Sequence, residues 1–344
     1  MLKETVTPSH GAPSPRFKML QVVLEKPEHF TVREAEPPTG DANNALVRVN
    51  RIGVCGTDIH AYYGRHPFIR YPVVLGHELS GTILELPAGN HELSVGDRVS
   101  IEPFRPCGDC HACKLGKSNC CLTMALIGIH IDGGMQPLIR VPPQYLYSSS
   151  RLTLDQLAMI EPLSIGSHAV QRSELQAGEN VLVVGAGPIG IATAQFALLA
   201  GASVTVMELN EERRKWVSKH LAVETTADSG DTCYEVVFDA TGNPQAMEKS
   251  FERCAHGGKL VFVGILKARI GFDDELLHRR ELTLFASRNS CGDFPRIIEL
   301  IEQGRFDPSP WVTHRMQLAE VPSRFTELFE TSGLIKALIE VPEE

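Results

Sequence analysis

Residues 180–207, NVLVVGAGPIGIATAQFALLAGASVTVM, run for 28 positions without a charged side chain. Nothing else in the chain restricts its fold as strongly. A membrane helix needs about 20 apolar residues, but Gly185, Gly187, Pro188, Gly190 and Gly201 interrupt this stretch. Its two ends, VLVV and SVTVM, are β-branched in the manner of buried strands, and the segment between them reads as a helix. The expectation is strand, glycine turn, helix, strand, and not a membrane span.

Gly185-Ala186-Gly187-Pro188-Ile189-Gly190 is then a GxGxxG that follows a buried strand and opens a helix, the context in which such a match gains weight. The glycines permit a tight turn, close approach of a pyrophosphate, and close contact between helix and strand, while the helix N-terminus offers free N–H groups to an anion. An ordinary tight loop is the other reading. Glu208 ends the next strand, where an acid accepts hydrogen bonds from ribose hydroxyls and repels a 2′-phosphate, which favours NAD over NADP. Arg213 and Arg214 could pair with a phosphate, or could belong to a solvated helix face, EERRK.

The strand–helix alternation continues through EVVFDATG, MEKSFERCA and KLVFVGI, a pattern that builds a parallel sheet covered by helices on both faces. Before it, from Met19 to Val141, short alternating runs such as ALVRVNRIGVCG, ELSGTILELP and GDRVSIEPF predict antiparallel strands. After Asp293 come FPRIIELIEQG and AEVPSRFTELFE, read as helical, and a last strand, IKALIEV. With 344 residues the chain suits two domains. The division expected is a flexible extension over 1–18, a mostly antiparallel catalytic domain from 19–162 and 293–344, and a doubly wound cofactor domain over 163–292, an α/β fold overall. Lys and Arg number 33 against 42 Asp and Glu, so no basic footprint for nucleic acid or an anionic membrane is expected. The N-terminus has no apolar core region or small-residue cleavage site, which predicts a cytoplasmic protein with reduced thiols.

Cys107, Cys110, Cys113 and Cys121 stand at a spacing that lets four thiolates close a tetrahedral shell around Zn²⁺. A closed shell leaves no open position, so this zinc would be structural; an iron–sulfur cluster or a redox dithiol competes, and Cys120 could replace Cys121. Cys233, Cys254 and Cys291 are expected as small core residues. Cys55, in CGTDIH, and His77, in GHE, offer donors for a second zinc, with Glu78 or a more distant carboxylate as the third ligand and one position open to water or substrate, while His77 taken alone also reads as a structural histidine.

CGTDIH, GHE, the four-cysteine loop, EPLS and GAGPIG, in this order, resemble the zinc-containing medium-chain alcohol and polyol dehydrogenases over nearly the whole chain from Met19. Within that family, CGTDIHAYYGRHPFIRYPVVLGHE, KSNCC, IGIHIDGG, FDATGNPQAM, HGGKLVFVGI and SRN are most similar to the bacterial sugar-acid branch, the L-galactonate 5-dehydrogenase and gulonate-type enzymes. The resemblance implies a GroES-like catalytic domain, a Rossmann domain and two zinc ions per subunit. It implies catalytic zinc ligands at Cys55 and His77, with Glu78 or Glu161 as the carboxylate ligand, the two exchanging as substrate enters. Thr57 would pass the alcohol proton to His60, although Thr57 could simply make a turn hydrogen bond and His60 could be a surface residue. Arg213 would lie near the adenosine ribose, Thr241 and Gly242 near the adenine, and Val263, Gly264 and Ile265 beside the nicotinamide. Ser287, Arg288 and Asn289 would close the cleft at its substrate end, where Arg288 could equally bridge the domains. Arg65, His66, Arg70 or Arg288 could receive a substrate carboxylate. The implied activity is transfer of hydride from a secondary alcohol of a sugar acid or polyol to NAD, at C5 of L-galactonate or L-gulonate, in a homodimer or homotetramer. A sorbitol-type polyol dehydrogenase and L-threonine 3-dehydrogenase are the alternatives, and a zinc-stabilised nucleotide sensor without turnover is the alternative of another class.

Overall fold

A computed structural model describes residues 18–39, 43–89 and 92–342; apart from Lys18, the expected N-terminal extension lies outside these. The uncharged stretch resolves into strand Asn180–Val184, helix Pro188–Leu199 and strand Ser203–Met207. Among the described residues no helix is long and apolar enough to cross a membrane. Val181 and Val183 pack into a core with Val236 and Phe238, while Leu182 and Val184 enter another with Val237 and Leu260. Both sheet faces are thus covered, which is why this strand reads as a continuous apolar run rather than an alternating one.

Six parallel strands form the sheet, in the order Glu224–Thr226, Ser203–Met207, Asn180–Val184, Tyr234–Asp239, Cys254–Phe262, Thr283–Ala286. The order reverses between Asn180–Val184 and Tyr234–Asp239, and in an open sheet of this kind ligands bind at that switch point beyond the strands' carboxyl ends. The helix expected over MEKSFERCA instead spans Pro244–Ser250, because Asn243 caps it and Pro244 starts it, and Cys254 already opens the next strand opposite Tyr234.

The second sheet runs Val312–Gln317, Lys336–Glu340, Ala45–Gly53, Glu78–Glu85, Arg98–Ile101, Leu146–Ser148, with Leu138–Val141 also beside Ala45–Gly53. Lys336–Glu340 pairs antiparallel with Ala45–Gly53, so the chain returns to this sheet after building the parallel one. Helix Phe294–Glu302 does not follow it there: Phe294, Ile297 and Ile301 share the core of Val181 and Phe238. Residues 319–330, read as one helix, form two single turns, Val321–Arg324 and Glu327–Glu330.

The two sheets meet at helix Ile160–Arg172, which packs on helix Pro188–Leu199. A Cβ at Gly166 would lie 2.6 Å from backbone atoms of Ala192 and Thr193. The missing side chain sets how closely the helix bearing Glu161 approaches the one that follows the glycine turn. Gly166→Ala is expected to lower unfolding free energy by about 1–3 kcal/mol through overpacking, read from urea denaturation; an unchanged midpoint would contradict the contact.

Candidate active site

Strand pairing sets Gly53 opposite Glu78, and a Cβ at Gly53 would fall 1.9 Å from Glu78 Oε2. Only glycine leaves space for that buried carboxylate. Cys55 follows at the N-cap of helix Gly56–Tyr62, its N–H donating to Asp58 Oδ2 at 2.9 Å. Donor atoms of Cys55, His77 and Glu78 lie within 4.8 Å of one another. His77 Nδ1 faces Asp58 Oδ1 at 3.7 Å. Both atoms are buried without a hydrogen-bond partner, and the thiol of Cys55 is a hydrogen-bond neighbour of the imidazole.

Lys336, from the last strand, is buried with its Nζ 2.7 Å from both Glu78 carboxylate oxygens and 3.1 Å from Val54 O. Burial alone would lower the pKa of this ammonium, but Glu78 and Cys55 outweigh it and hold the group above its ordinary value. Glu161, in the first turn of helix Ile160–Arg172, is buried beside these groups but stands outside the set of mutually close donors. Burial pushes its carboxyl up to about 7, with Glu78 adding to the rise and His77 opposing it. Burial likewise raises Asp58. Thr57 is half-buried and His60 exposed on the same short helix.

Neither Asp58 nor Lys336 has a role in the sequence reading. A signal existed for both: Asp58 sits inside CGTDIH, and Lys336 is the one cation in a largely apolar strand, IKALIEV, where a buried cation needs a buried anion.

The four-cysteine loop closes as expected. Sulfur atoms of Cys107, Cys110, Cys113 and Cys121 lie within 4.8 Å of one another, and Cys107 Sγ stands 3.5 Å from Cys121 Sγ. Backbone N–H groups of Asp109 and Cys110 bring the Cys107 thiol down to about 6, which favours the thiolate a metal needs. Cys120 is exposed and outside the set. Of the three single cysteines only Cys254 is core; Cys233 is exposed and half-buried Cys291 meets Ser118 Oγ at 3.2 Å.

At the switch point a cavity of about 600 Å³ is lined by Gly185, Gly187, Glu208, Arg213 and Thr241, among others. Gly185 has φ +96°, and a Cβ at Gly190 would fall 1.9 Å from Gly185 O, whereas one at Gly187 would meet nothing within 4 Å. Gly187 therefore leaves an open cradle, the shape a pyrophosphate requires, next to the start of helix Pro188–Leu199. Glu208 accepts hydrogen bonds from the backbone N–H groups of Ala186 and Asn210, each at 2.8 Å. Arg214 donates to the carbonyls of Glu208 and Leu209 and so braces the turn, leaving Arg213 as the one of the pair at the cavity. Lys249 and Arg253, which the sequence reading passed over, also line it. Pro188, Ile189, Gly190, Gly242, Val263, Gly264, Ile265, Ser287, Arg288 and Asn289 are not among its lining residues. Gly264 instead abuts Gly242, where a Cβ would be 2.5 Å from the Gly242 nitrogen, and the Ser287 N–H donates to Phe262 O at 2.9 Å.

The sequence matches the alcohol dehydrogenase GroES-like domain over residues 41–151 and the zinc-binding dehydrogenase domain over 188–303. It is 35% identical to L-galactonate-5-dehydrogenase of Escherichia coli K12, across 92% of this chain and 98% of that one. It is 31% identical to 2-dehydro-3-deoxy-L-galactonate 5-dehydrogenase of Pseudoalteromonas atlantica, across 92% and 96%. The chain belongs to the zinc-type medium-chain alcohol dehydrogenases. Among solved structures it resembles an alcohol dehydrogenase of Escherichia coli CFT073 complexed with NADH, with TM-score 0.87, 27% identity and coverage of 94% and 99%. A zinc-binding dehydrogenase of Sinorhizobium meliloti bound to NADP matches with TM-score 0.87, 28% identity and the same coverage. The protein is thus an oxidoreductase acting on CH–OH groups, of the polyol and sugar-acid dehydrogenase kind.

The residues present fit the zinc that this family binds. A buried carboxylate facing the imidazole of a ligating histidine is the arrangement that fixes ring orientation and raises ligand basicity. Asp58→Asn is therefore expected to weaken metal affinity about 10- to 100-fold, measured by chelator competition on the purified protein; wild-type affinity would remove Asp58 from the metal centre.

Proposed function

We propose that this dehydrogenase oxidises a secondary alcohol of a sugar acid, C5 of L-galactonate or L-gulonate, with NAD as hydride acceptor. The observation that carries the reading is the donor set of half-buried Cys55 with buried His77 and Glu78, backed by Asp58 and joined through helix Ile160–Arg172 to the helix that follows the glycine turn. Identity of 35% with L-galactonate-5-dehydrogenase over almost the full length supports the substrate.

Cys55 and His77 would hold a catalytic zinc, with Glu78 as the carboxylate donor and Glu161 as the one able to replace it. When bound, the ion supplies Lewis acidity that lowers the pKa of an alcohol hydroxyl. NAD supplies the hydride acceptor. Thr57 takes the hydroxyl proton in the half-buried cleft, and His60, three positions on along the same helix, carries it to solvent. Cys107, Cys110, Cys113 and Cys121 would close a shell around a second, structural zinc, so each subunit would hold two ions. Glu208, at the end of the second strand of the glycine fold, is the basis for choosing NAD over NADP. Val263 to Ile265 would flank the nicotinamide, and Ser287 to Asn289 the substrate end of the cleft. We place the protein in the cytoplasm, where nine free cysteines stay reduced. It would form a homodimer or homotetramer through the edge strand Thr283–Ala286, whose Leu284 is 44% exposed.

In steady-state assays of NAD reduction, kcat/KM should be higher for L-galactonate or L-gulonate than for sorbitol or L-threonine. The reverse order would replace the sugar-acid reading by a polyol or threonine dehydrogenase, and no NADH formation with any of the four would leave a nucleotide sensor. Glu208→Ala should lower the ratio of kcat/KM for NAD over NADP by about tenfold, the equivalent of one charged hydrogen bond; a wild-type protein that already prefers NADP would overturn the choice.

A further inference from the structure

The seven residues between Cys113 and Cys121, KLGKSNC, form a closed finger. Its own backbone ties it: the Gly116 N–H donates to Cys113 O, that of Lys117 to Ala112 O and that of Cys121 to Ser118 O, at 2.9 to 3.0 Å. Gly116 turns the chain at φ +72°, a conformation that favours glycine. Both ends of the finger are cysteines whose sulfurs belong to the four-thiol set, so whatever closes that set also fixes the base of the finger.

Three residues of the parallel-sheet half meet it. Cys291 Sγ donates to Gly116 O at 3.3 Å and stands 3.2 Å from Ser118 Oγ. Buried Asn119 donates through Nδ2 to Arg288 O at 2.8 Å and to His168 Nε2 at 3.1 Å, while Arg288 Nε donates back to Asn119 O at 3.2 Å. The amide has two protons for those two acceptors, which assigns His168 as a neutral imidazole with its proton on Nδ1. That nitrogen faces buried Asp293, whose Oδ2 is 3.9 Å away. Ser167 Oγ and Gln171 Nε2 donate to Asp293 Oδ1, and the Cys291 N–H donates to Oδ2 at 3.3 Å. One turn earlier Ser164 Oγ meets Ser290 Oγ at 2.9 Å. Ser164, Ser167, His168 and Gln171 share one face of helix Ile160–Arg172, the helix whose first turn carries Glu161. Residues 288–293 are therefore held both by the finger and by this helix.

The cysteine lobe is tied to the metal centre as well. Ile165 of the same helix packs against the cluster of Phe104, Cys121, Met124 and Leu126. Beyond Leu126 the chain passes His130 and reaches Gly133, Gly134 and Met135, whose N–H groups donate to the carbonyls of Val74, Gly76 and Leu75, directly before His77. A Cβ at Gly133 would lie 2.4 Å from Gly76 O. The metal donors belong to one half of the molecule and the dinucleotide cradle to the other, yet hydride transfer needs the reacting atoms within about 3–3.5 Å. Apolar faces can slide on one another, whereas a hydrogen-bonded seam admits one register.

We infer that this finger is an interdomain clasp, and that Asn119, His168 and Cys291 are positioning residues for hydride transfer, holding the dinucleotide cradle in register with Cys55, His77 and Glu78. The inference rests on the alcohol dehydrogenase reaction of the family and is independent of the substrate proposed above. It gives the four-cysteine loop a part in the reaction, since that loop sets the shape of the finger.

The test uses holoenzymes. Asn119→Ala removes both amide bonds, Cys291→Ala removes the donor to Gly116 O, and Cys291→Ser keeps an O–H in its place. Each is compared with the wild type in zinc content, melting temperature, kcat, KM for NAD (NADP where the wild type prefers it) and the primary deuterium isotope effect on kcat. The substrate is whichever of L-galactonate, L-gulonate, sorbitol and L-threonine the wild type oxidises, deuterated at the reacting carbon. Asn119→Ala should lower kcat about 10- to 100-fold, the cost of a misplacement of about 1 Å, with cofactor KM changed less than about threefold and a larger isotope effect. Cys291→Ala should move the same way by a smaller factor, and Cys291→Ser should restore wild-type behaviour. Unchanged kcat and isotope effect in both alanine variants overturns the clasp, as does a loss that Cys291→Ser shares in full. A drop in kcat that follows zinc content or melting temperature, with the isotope effect unmoved, marks a structural role and also overturns it. Should Asn119→Ala fail to fold, the Cys291 pair, outside the cysteine loop, decides. A wild type that oxidises sorbitol and not L-galactonate removes the sugar-acid reading, and the clasp is judged on the same measurements; one that oxidises none of the four has no transfer to position, and the clasp falls.

Discussion

Charge balance in a buried space governs this molecule. Cys55, Asp58, Glu78 and Glu161 bring four acidic groups to one place, and Lys336 brings one cation. Negative charge beyond what Lys336 and the His77 imidazole balance is costly in a low-dielectric interior, so the groups either take up protons or share a divalent ion. The rise of Asp58 and Glu161 above their ordinary pKa values is the first response; a zinc-type donor set of thiolate, imidazole and carboxylate is the second. The same arithmetic explains why Glu78 needs Lys336. A carboxylate with both oxygens buried needs a buried cation, and Lys336 meets both at 2.7 Å.

Glycine decides how closely the parts of the site approach. Gly53 makes room for the Glu78 carboxylate, Gly166 brings the Glu161 helix against the helix of the dinucleotide turn, and Gly128 and Gly133 lower the His130 segment onto Gly76. Each is a contact between backbones, or between a backbone and a buried charge, that a single methyl group would block. Interiors this closely packed transmit position rather than absorb it. That is how a catalytic centre made from four separate segments can be held to one geometry.

Much of this was legible in the residues. The uncharged stretch announced strand, turn, helix and strand because a parallel strand covered on both faces has no polar side to show. The four cysteines announced by spacing alone a cluster of sulfurs able to hold a metal, and the choice between Cys120 and Cys121, open in the sequence, comes down to which sulfur a short turn can direct inward. What could not be read was long-range. Lys336 meets Glu78 across 258 positions, and no local periodicity carries that pairing. Helix Phe294–Glu302 was assigned with its sequence neighbours, yet its apolar stripe of Phe294, Ile297 and Ile301 lies under the parallel sheet; a stripe shows that a helix is half-buried and not what covers it. Asp58 was in plain view within a quoted motif, but its place behind His77 depends on two segments being brought together.

The partnership of Lys336 with Glu78 has a consequence for how the protein is made. The thiolate, imidazole and carboxylates all belong to the first half of the chain, whereas their counter-ion arrives with a strand synthesised only after the whole parallel sheet. Until that strand docks beside Ala45–Gly53, the Glu78 carboxylate lacks its ammonium partner. Completion of the centre's ion pairing is thereby tied to the last strand to be made.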